Sequence, residues 1–207
     1  MNNKSMAEDL DYLRALAESG EHAPLLGGRF YVLWGVVIAF AYTAHYAIMT
    51  GLIGTLNWLP FLWISIVAIG LIGQFLLLQR FTKHAVPGGG SAGNQTSIYV
   101  WQFAGIAMFA LFAGLILRIA IGFGEPSEMD WSIPVVFALY SVAMGASGGM
   151  AKNKILMRAA WLSAAVFAGA MLLVGRAELY LLAAAGIAAT ALLPGLLLMR
   201  SEPKHIV

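Results

Sequence analysis

The stretch Leu25–Met49, LLGGRFYVLWGVVIAFAYTAHYAIM, decides the fold. Two adjacent glycines and an arginine stand directly before an apolar run that no other charged residue interrupts. A phosphate-binding loop would need a preceding strand and a longer glycine pattern, and neither is present. A membrane reading accounts for each residue type. A helix needs about 20 mostly apolar residues to cross a bilayer. Arg29 then sits at the inner headgroup level, with Phe30, Tyr31 and Trp34 as an aromatic belt beside it. Gly27 and Gly28, after Pro24, let the chain bend from a cytoplasmic segment into the membrane. Lipid phosphate is the expected partner of Arg29.

Five further runs of the same kind follow. Of the 207 residues, 60% are hydrophobic and 11% charged, whereas soluble domains carry about 25% charged residues. The apolar runs lie near 30–50, 57–79, 98–121, 131–150, 155–175 and 179–199, separated by charged or turn-forming segments. No alternating polar period appears, and an open sheet edge cannot sit in lipid. The expected fold is all-α: an integral membrane bundle of six transmembrane helices with a short N-terminal cytoplasmic amphipathic helix. Residues 1–28 form the cytoplasmic segment, 29–200 the transmembrane domain and 201–207 a cytoplasmic tail. The polar, acidic opening residues contain no signal-peptide core. Short loops and a cysteine-free, alanine- and glycine-rich composition point to a bacterial inner membrane.

Charge sets the expected direction. With the N-terminus in the cytoplasm, Lys4, Arg14, Arg29, Arg80, Lys83, Lys152, Lys154, Arg158, Arg200 and Lys204 fall inside. Only Arg118 and Arg176 fall outside, so ten of the twelve basic residues face the cytoplasm, as the positive-inside rule requires. An even number of spans returns the C-terminus to the same side.

The segment SMAEDLDYLRALAESG (residues 5–20) reads as a short helix. Ser5 and Glu8 form a capping box, and Gly20 is a stop. Met6, Leu10, Leu13 and Ala17 share one face, widened by Tyr12 and Leu16, while Glu8, Asp9, Asp11, Arg14 and Glu18 occupy the other. Membrane-surface helices are normally basic, and this one is acidic. It is expected to pack on the protein's own basic inner loops or to dock a cytosolic regulatory protein. Residues 84–97 read as a flexible inner loop, whose NQT sequon lies on the side where glycosylation does not occur.

Polar groups within the spans are few. His45 is expected to hydrogen-bond another helix. Gln74, Gln102 and Ser147 fall at similar depth, and could form one interhelical polar layer or a small polar pocket. Arg118 and Arg158 lie near span ends, where long side chains snorkel. No carboxylate falls clearly within the apolar core, which argues against proton-coupled transport. A single intramembrane histidine cannot supply bis-histidine haem ligation, and the chain has no cysteine, which removes disulfides, thiolate metal sites and thiol nucleophiles. No cofactor, metal or nucleic-acid partner is expected.

The segment GASGG (Gly145–Gly149) matches the nucleophile-elbow pattern. It also resembles the G-x-S-G of rhomboid intramembrane proteases, which carry their serine in the fourth of six core spans. That family works with a histidine in the sixth span. Here the sixth span has none, and Ser147 lies near the cytoplasmic rather than the outer end of its helix. A serine without a base is a poor nucleophile, so no catalytic residue is assigned. Gly145 and Gly149 read instead as a GxxxG pair, extended by Ala143, Ala146, Ser147 and Gly148 into a small-residue patch, with Ala160, Ala164 and Ala168 and then Gly186 and Thr190 as matching strips. Pro194 and Gly195 predict a kink near the inner end of the last span. NWLP (Asn57–Pro60) and DWSIP (Asp130–Pro134) each open with a candidate N-cap residue, and together with a recurring FAG they suggest three tandem hairpins.

The expected function is that of a non-enzymatic inner-membrane protein of regulatory or accessory type. The lipid bilayer and a cytosolic regulatory protein are the expected partners, with a homo-oligomer through small-residue helix faces as another. The alternative is a small transporter or channel for an apolar or weakly polar solute, with His45, Gln74, Gln102, Arg118 and Ser147 lining a pocket or path.

Overall fold

The computed structural model describes residues 25–83 and 89–202. The predicted N-terminal helix, with its face of Met6, Leu10, Leu13 and Ala17, lies outside the described residues. Among the described residues there are six long helices: α1 Gly28–Met49, α2 Leu59–Lys83, α3 Ala92–Ala120, α4 Ser132–Met150, α5 Lys154–Leu173 and α6 Glu178–Met199. Single 3-10 turns, Leu56–Trp58 and Pro126–Trp131, lead into α2 and α4. No strand occurs among the described residues. All six helices, taken with these turns, are long and apolar enough to cross a membrane. The proximal end of the bundle holds the start of α1 and the end of α6; the distal end holds the α1–α2, α3–α4 and α5–α6 connections.

Sequential helices pair except α2 with α3, and the first helix also meets the last. α1 packs along α6 and against α2; α5 packs on α4 and α6; α3 packs on α4. The helices therefore run in the spatial order α2, α1, α6, α5, α4, α3. The fully buried side chains come from the inner members: Ile133, Phe137 and Met144 of α4, Leu156 of α5, and Leu179, Ile187 and Leu198 of α6. α2 and α3 flank this core and bury little of their surface.

Glycine makes the α1–α6 contact possible. A Cβ on Gly28 would lie 2.7 Å from the Met199 backbone nitrogen and 2.8 Å from the Gly195 carbonyl oxygen. One on Gly35 would lie 2.7 Å from the Leu192 nitrogen, and one on Gly195 2.8 Å from both the Tyr31 Cβ and the Val32 nitrogen. These backbones are closer than any side chain permits, which is the small-residue packing found between apolar helices. Gly28 thus opens α1 at a helix crossing rather than serving only as a bend. Gly186 likewise gives Phe137 and Val166 room.

Of the predicted small-residue patch on α4, Ala143, Ser147 and Gly148 are buried, while the GxxxG pair itself contributes little. A Cβ on Gly149 would meet nothing, and one on Gly145 only Ala160 at 3.7 Å. Gly148 makes the close approach: a Cβ there would lie 3.0 Å from the Leu156 Cβ and the Met157 nitrogen. The α4–α5 turn is tight, so the approach falls on the residue facing the returning helix. On α5 the buried face is Ala159, Ala160, Ser163, Val166 and Ala170, while Ala168 is exposed.

Local chemistry explains the helix ends. α3 starts at Ala92, six residues before the apolar run, because Ser91 accepts the Asn94 N–H as an N-cap. Residues 92–97 are therefore helical, not loop. Asn153 caps α5 by accepting the N–H groups of Ile155 and Leu156 at 2.9 and 3.1 Å. Neither predicted distal cap forms: Asn57 is exposed within the first 3-10 turn, and Asp130 turns elsewhere. The expected irregularity in α6 is a π turn over Ala188–Leu192, directly before Pro194. Proline cannot donate to the residue four back, and widening the helix re-spaces the carbonyls ahead of it.

Candidate functional site

Two polar clusters, one at each end, are the sites where chemistry could reside. At the distal end, Asp130 is buried where the second 3-10 turn meets α4. The Tyr180 hydroxyl of α6 donates to Asp130 Oδ1 in a short hydrogen bond, and the Gly175 N–H donates to Oδ2 at 3.3 Å. Gly175 holds a φ of +84°, a left-handed conformation that a side chain would strain. The Tyr180 ring stacks on His45 of α1 with centroids 3.7 Å apart and planes 21° from parallel. His45 Nδ1 in turn accepts the Trp63 indole N–H of α2 at 3.0 Å. An indole nitrogen only donates, so His45 carries its proton on Nε2. Tyr42 packs edge-on against Trp63 and tilted against Tyr180. One carboxylate, one imidazole and three aromatic rings thus join α1, α2, α6 and the α3–α4 connection.

At the proximal end, the Glu202 carboxylate is buried beneath the first turn of α1. Its Oε1 accepts the Gly28 N–H at 2.8 Å, and its Oε2 lies 3.5 Å from Arg29 Nε. The first N–H groups of a helix have no partner within the helix and favour negative charge, so Glu202 caps α1 from the far end of the chain. Arg29, whose expected partner is lipid phosphate, faces this carboxylate within the chain. Beside it, the Leu26 N–H donates to Asn94 Oδ1 at 2.8 Å. The sequon asparagine is therefore buried and engaged. Leu26 is thereby tied to α3, and the first turn of α1 to the segment after α6.

Of the residues singled out from the sequence, His45 bonds a neighbouring helix as expected. Gln74, Gln102 and Ser147 do not form one layer. Gln74 Oε1 accepts the Trp34 indole N–H at 2.8 Å. Gln102 is exposed on α3 and makes no hydrogen bond with the described residues. Ser147 is wholly buried on α4, its hydroxyl without a partner among the described residues. Arg118 is exposed and forms a two-pronged pair with Glu128 at 2.7 and 3.3 Å. Tyr31 Oη and Trp101 Nε1 are also buried and unpartnered, with the rings edge to face at 5.2 Å.

Asp130, Tyr180, Glu202 and Asn94 escape a reading of the sequence. One signal was available at the distal end: Asp130, Tyr180 and His45 all fall within a turn of a distal span end and hence at one level. Among the described residues no three of His, Asp and Glu converge to hold a metal ion. The class these features define is an all-helical bundle of six membrane-length helices, closed by polar clasps at both ends. Comparison with known proteins adds nothing to this, since no family model, no curated protein and no solved structure matches the chain significantly.

Proposed function

We propose that the protein is a multi-pass bacterial inner-membrane protein with both termini in the cytoplasm, acting without catalysis in a regulatory or accessory role. Support for insertion comes from the exterior. Phe61, Phe109, Trp161 and Leu172 are 71%, 75%, 74% and 82% exposed, large apolar side chains that hydrocarbon, not water, accommodates. The direction rests on the basic residues, with Arg29, Arg80, Lys152, Lys154, Arg158 and Arg200 at the proximal end and Arg118 and Arg176 at the distal end.

The observation that carries the role is the use made of the polar side chains. Asp130 with Tyr180, His45 with Trp63, Gln74 with Trp34, and Glu202 with Gly28 each hold two parts of the bundle together. Such groups rigidify an anchor. Leu26 and Gly28, which follow the acidic N-terminal segment in sequence, are held in the proximal clasp, and a fixed junction there would transmit docking of a cytosolic protein. Leu10→Asp or Leu13→Asp should abolish co-purification of that protein while leaving the bundle's unfolding midpoint unchanged. If no cytosolic protein co-purifies with the unmodified chain, the regulatory reading fails.

Exposure of Gln102 on an apolar helix favours the second reading, a path for an apolar or weakly polar solute. Cysteines placed at 45, 74 and 102 then label with a polar thiol reagent in intact membranes. Protection of all three discards that reading.

A further inference from the structure

Gln102 is a polar amide in the wrong surroundings. It is exposed on α3, whose candidate span is the least buried of the six. Residues seven apart share a helix face, and Gln95, Gln102, Phe109 and Ile116 form such a row, all exposed. Gly105 lies beside Gln102 on this row, and a Cβ there would meet nothing within 4 Å. Another backbone can therefore approach at that position. If α3 lies in a bilayer, as proposed above, lipid covers Phe109 and Ile116 well but offers the Gln102 amide no hydrogen bond.

We propose that α3 pairs with α3 of a second copy of this chain, with Gln102 opposite Gln102. The occupant follows from the chemistry. A carboxamide presents two donors and an acceptor, so its own mirror across a twofold axis satisfies it, whereas an apolar helix or an acyl chain does not. Two copies inserted in the same direction are related by an axis along the membrane normal, which sets the two α3 helices parallel and brings residues of equal number together. Gln102 then marks the register, Gly105 permits close approach, and Phe109 packs one heptad further along. Glutamines bonding across apolar helices supply association that apolar packing alone lacks. Gly28 and Gly35 of α1, Gly148 of α4 and Gly186 and Gly195 of α6 are already engaged within the chain, whereas Gly105 beside Gln102 is open, so α3 offers the contact between copies.

The chain lacks cysteine, so single introduced cysteines report the contact directly. Membrane fractionation with carbonate washing comes first and tests insertion by itself; a chain that washes out overturns the membrane reading on which this proposal rests. In washed membranes, mild oxidation of Phe109→Cys should give a disulfide-linked dimer, and oxidation of Leu172→Cys, on the exposed face of α5, should not. Adding Gln102→Leu to Phe109→Cys should lower dimer yield by roughly fivefold or more, whereas Gln102→Asn retains it. Absence of cross-linking at 109, equal cross-linking at 172, or indifference to Gln102→Leu would each overturn the proposal. Because Gln102 is exposed and bonds none of the described residues, Leu at that position leaves the monomer's unfolding midpoint in place.

Discussion

Glu202 reaches back 174 residues to accept the N–H of Gly28 at 2.8 Å. The first and last helices are thereby joined at their ends as well as along their lengths. Removing a side-chain acceptor from a helix N-terminus typically costs about 1 kcal/mol. Glu202→Ala should therefore lower the detergent-solubilised unfolding midpoint, and truncation after Arg200 should match it. Glu202→Gln keeps an acceptor but loses the ion pair with Arg29, so its loss should be smaller. Equal midpoints for all three variants and the parent would contradict this clasp.

The glycines divide into two groups that substitution should separate. Gly195→Ala and Gly35→Ala place a methyl against backbone and should destabilise by about 1–3 kcal/mol. Gly149→Ala and Gly114→Ala meet open space and should be neutral or slightly stabilising, since alanine favours helix. Chemical unfolding of the four variants in one detergent measures the contrast directly.

Asp130 and Tyr180 should behave as a coupled pair. Asp130→Ala strands the Tyr180 hydroxyl and the Gly175 N–H, and a stranded buried group costs about 1–3 kcal/mol. Tyr180→Phe removes the donor and, with it, part of the penalty in the double variant. A cycle of the two substitutions should give a coupling energy of at least about 0.5 kcal/mol. Strictly additive losses would show that the bond contributes nothing.

Arg118 and Glu128, although ideally placed for each other, are solvent-facing, and exposed ion pairs contribute about 0–1 kcal/mol. Arg118→Ala should leave the unfolding midpoint nearly unchanged, and added salt should erase whatever difference remains. A large loss would mean that Arg118 has a partner beyond Glu128.

Ser147→Cys should be inert to polar thiol reagents in the folded protein, because the site is wholly buried. Labelling there at the rate of an exposed cysteine, such as one at Trp161, would reveal an opening into the bundle that the static packing lacks.

The six long apolar helices were legible because the length and composition of each run declare it, regardless of which helix lies alongside. The clasps were not, because a carboxylate at a span end looks the same whether it faces water or a neighbouring helix. Asp130 reads as an N-cap from local pattern alone; only the arrival of Tyr180 at the same level turns it inward. Glu202 reads as tail because nothing local to SEPKHIV announces the first turn of α1. The glycine pairing was missed for a related reason. GxxxG at 145 and 149 is a local pattern, whereas Gly28, Gly35 and Gly195 become a contact only through the crossing of α1 and α6. His45 fared better, since any histidine in an apolar span needs a partner and the next helix is the nearest source.

Because α1 and α6 are neighbours, the order of the helices around the bundle is more basic than the point at which the polypeptide is cut. A circular permutant, with a short glycine-serine tether from Glu202 to Leu25 and new ends opened between α2 and α3, would retain every clasp described above. The same geometry makes the α1–α2 hairpin a separable piece. Co-expressed with the remaining four helices, it has both the α6 groove and the Asp130 cluster to find, so the two fragments should reassemble without a peptide bond between them.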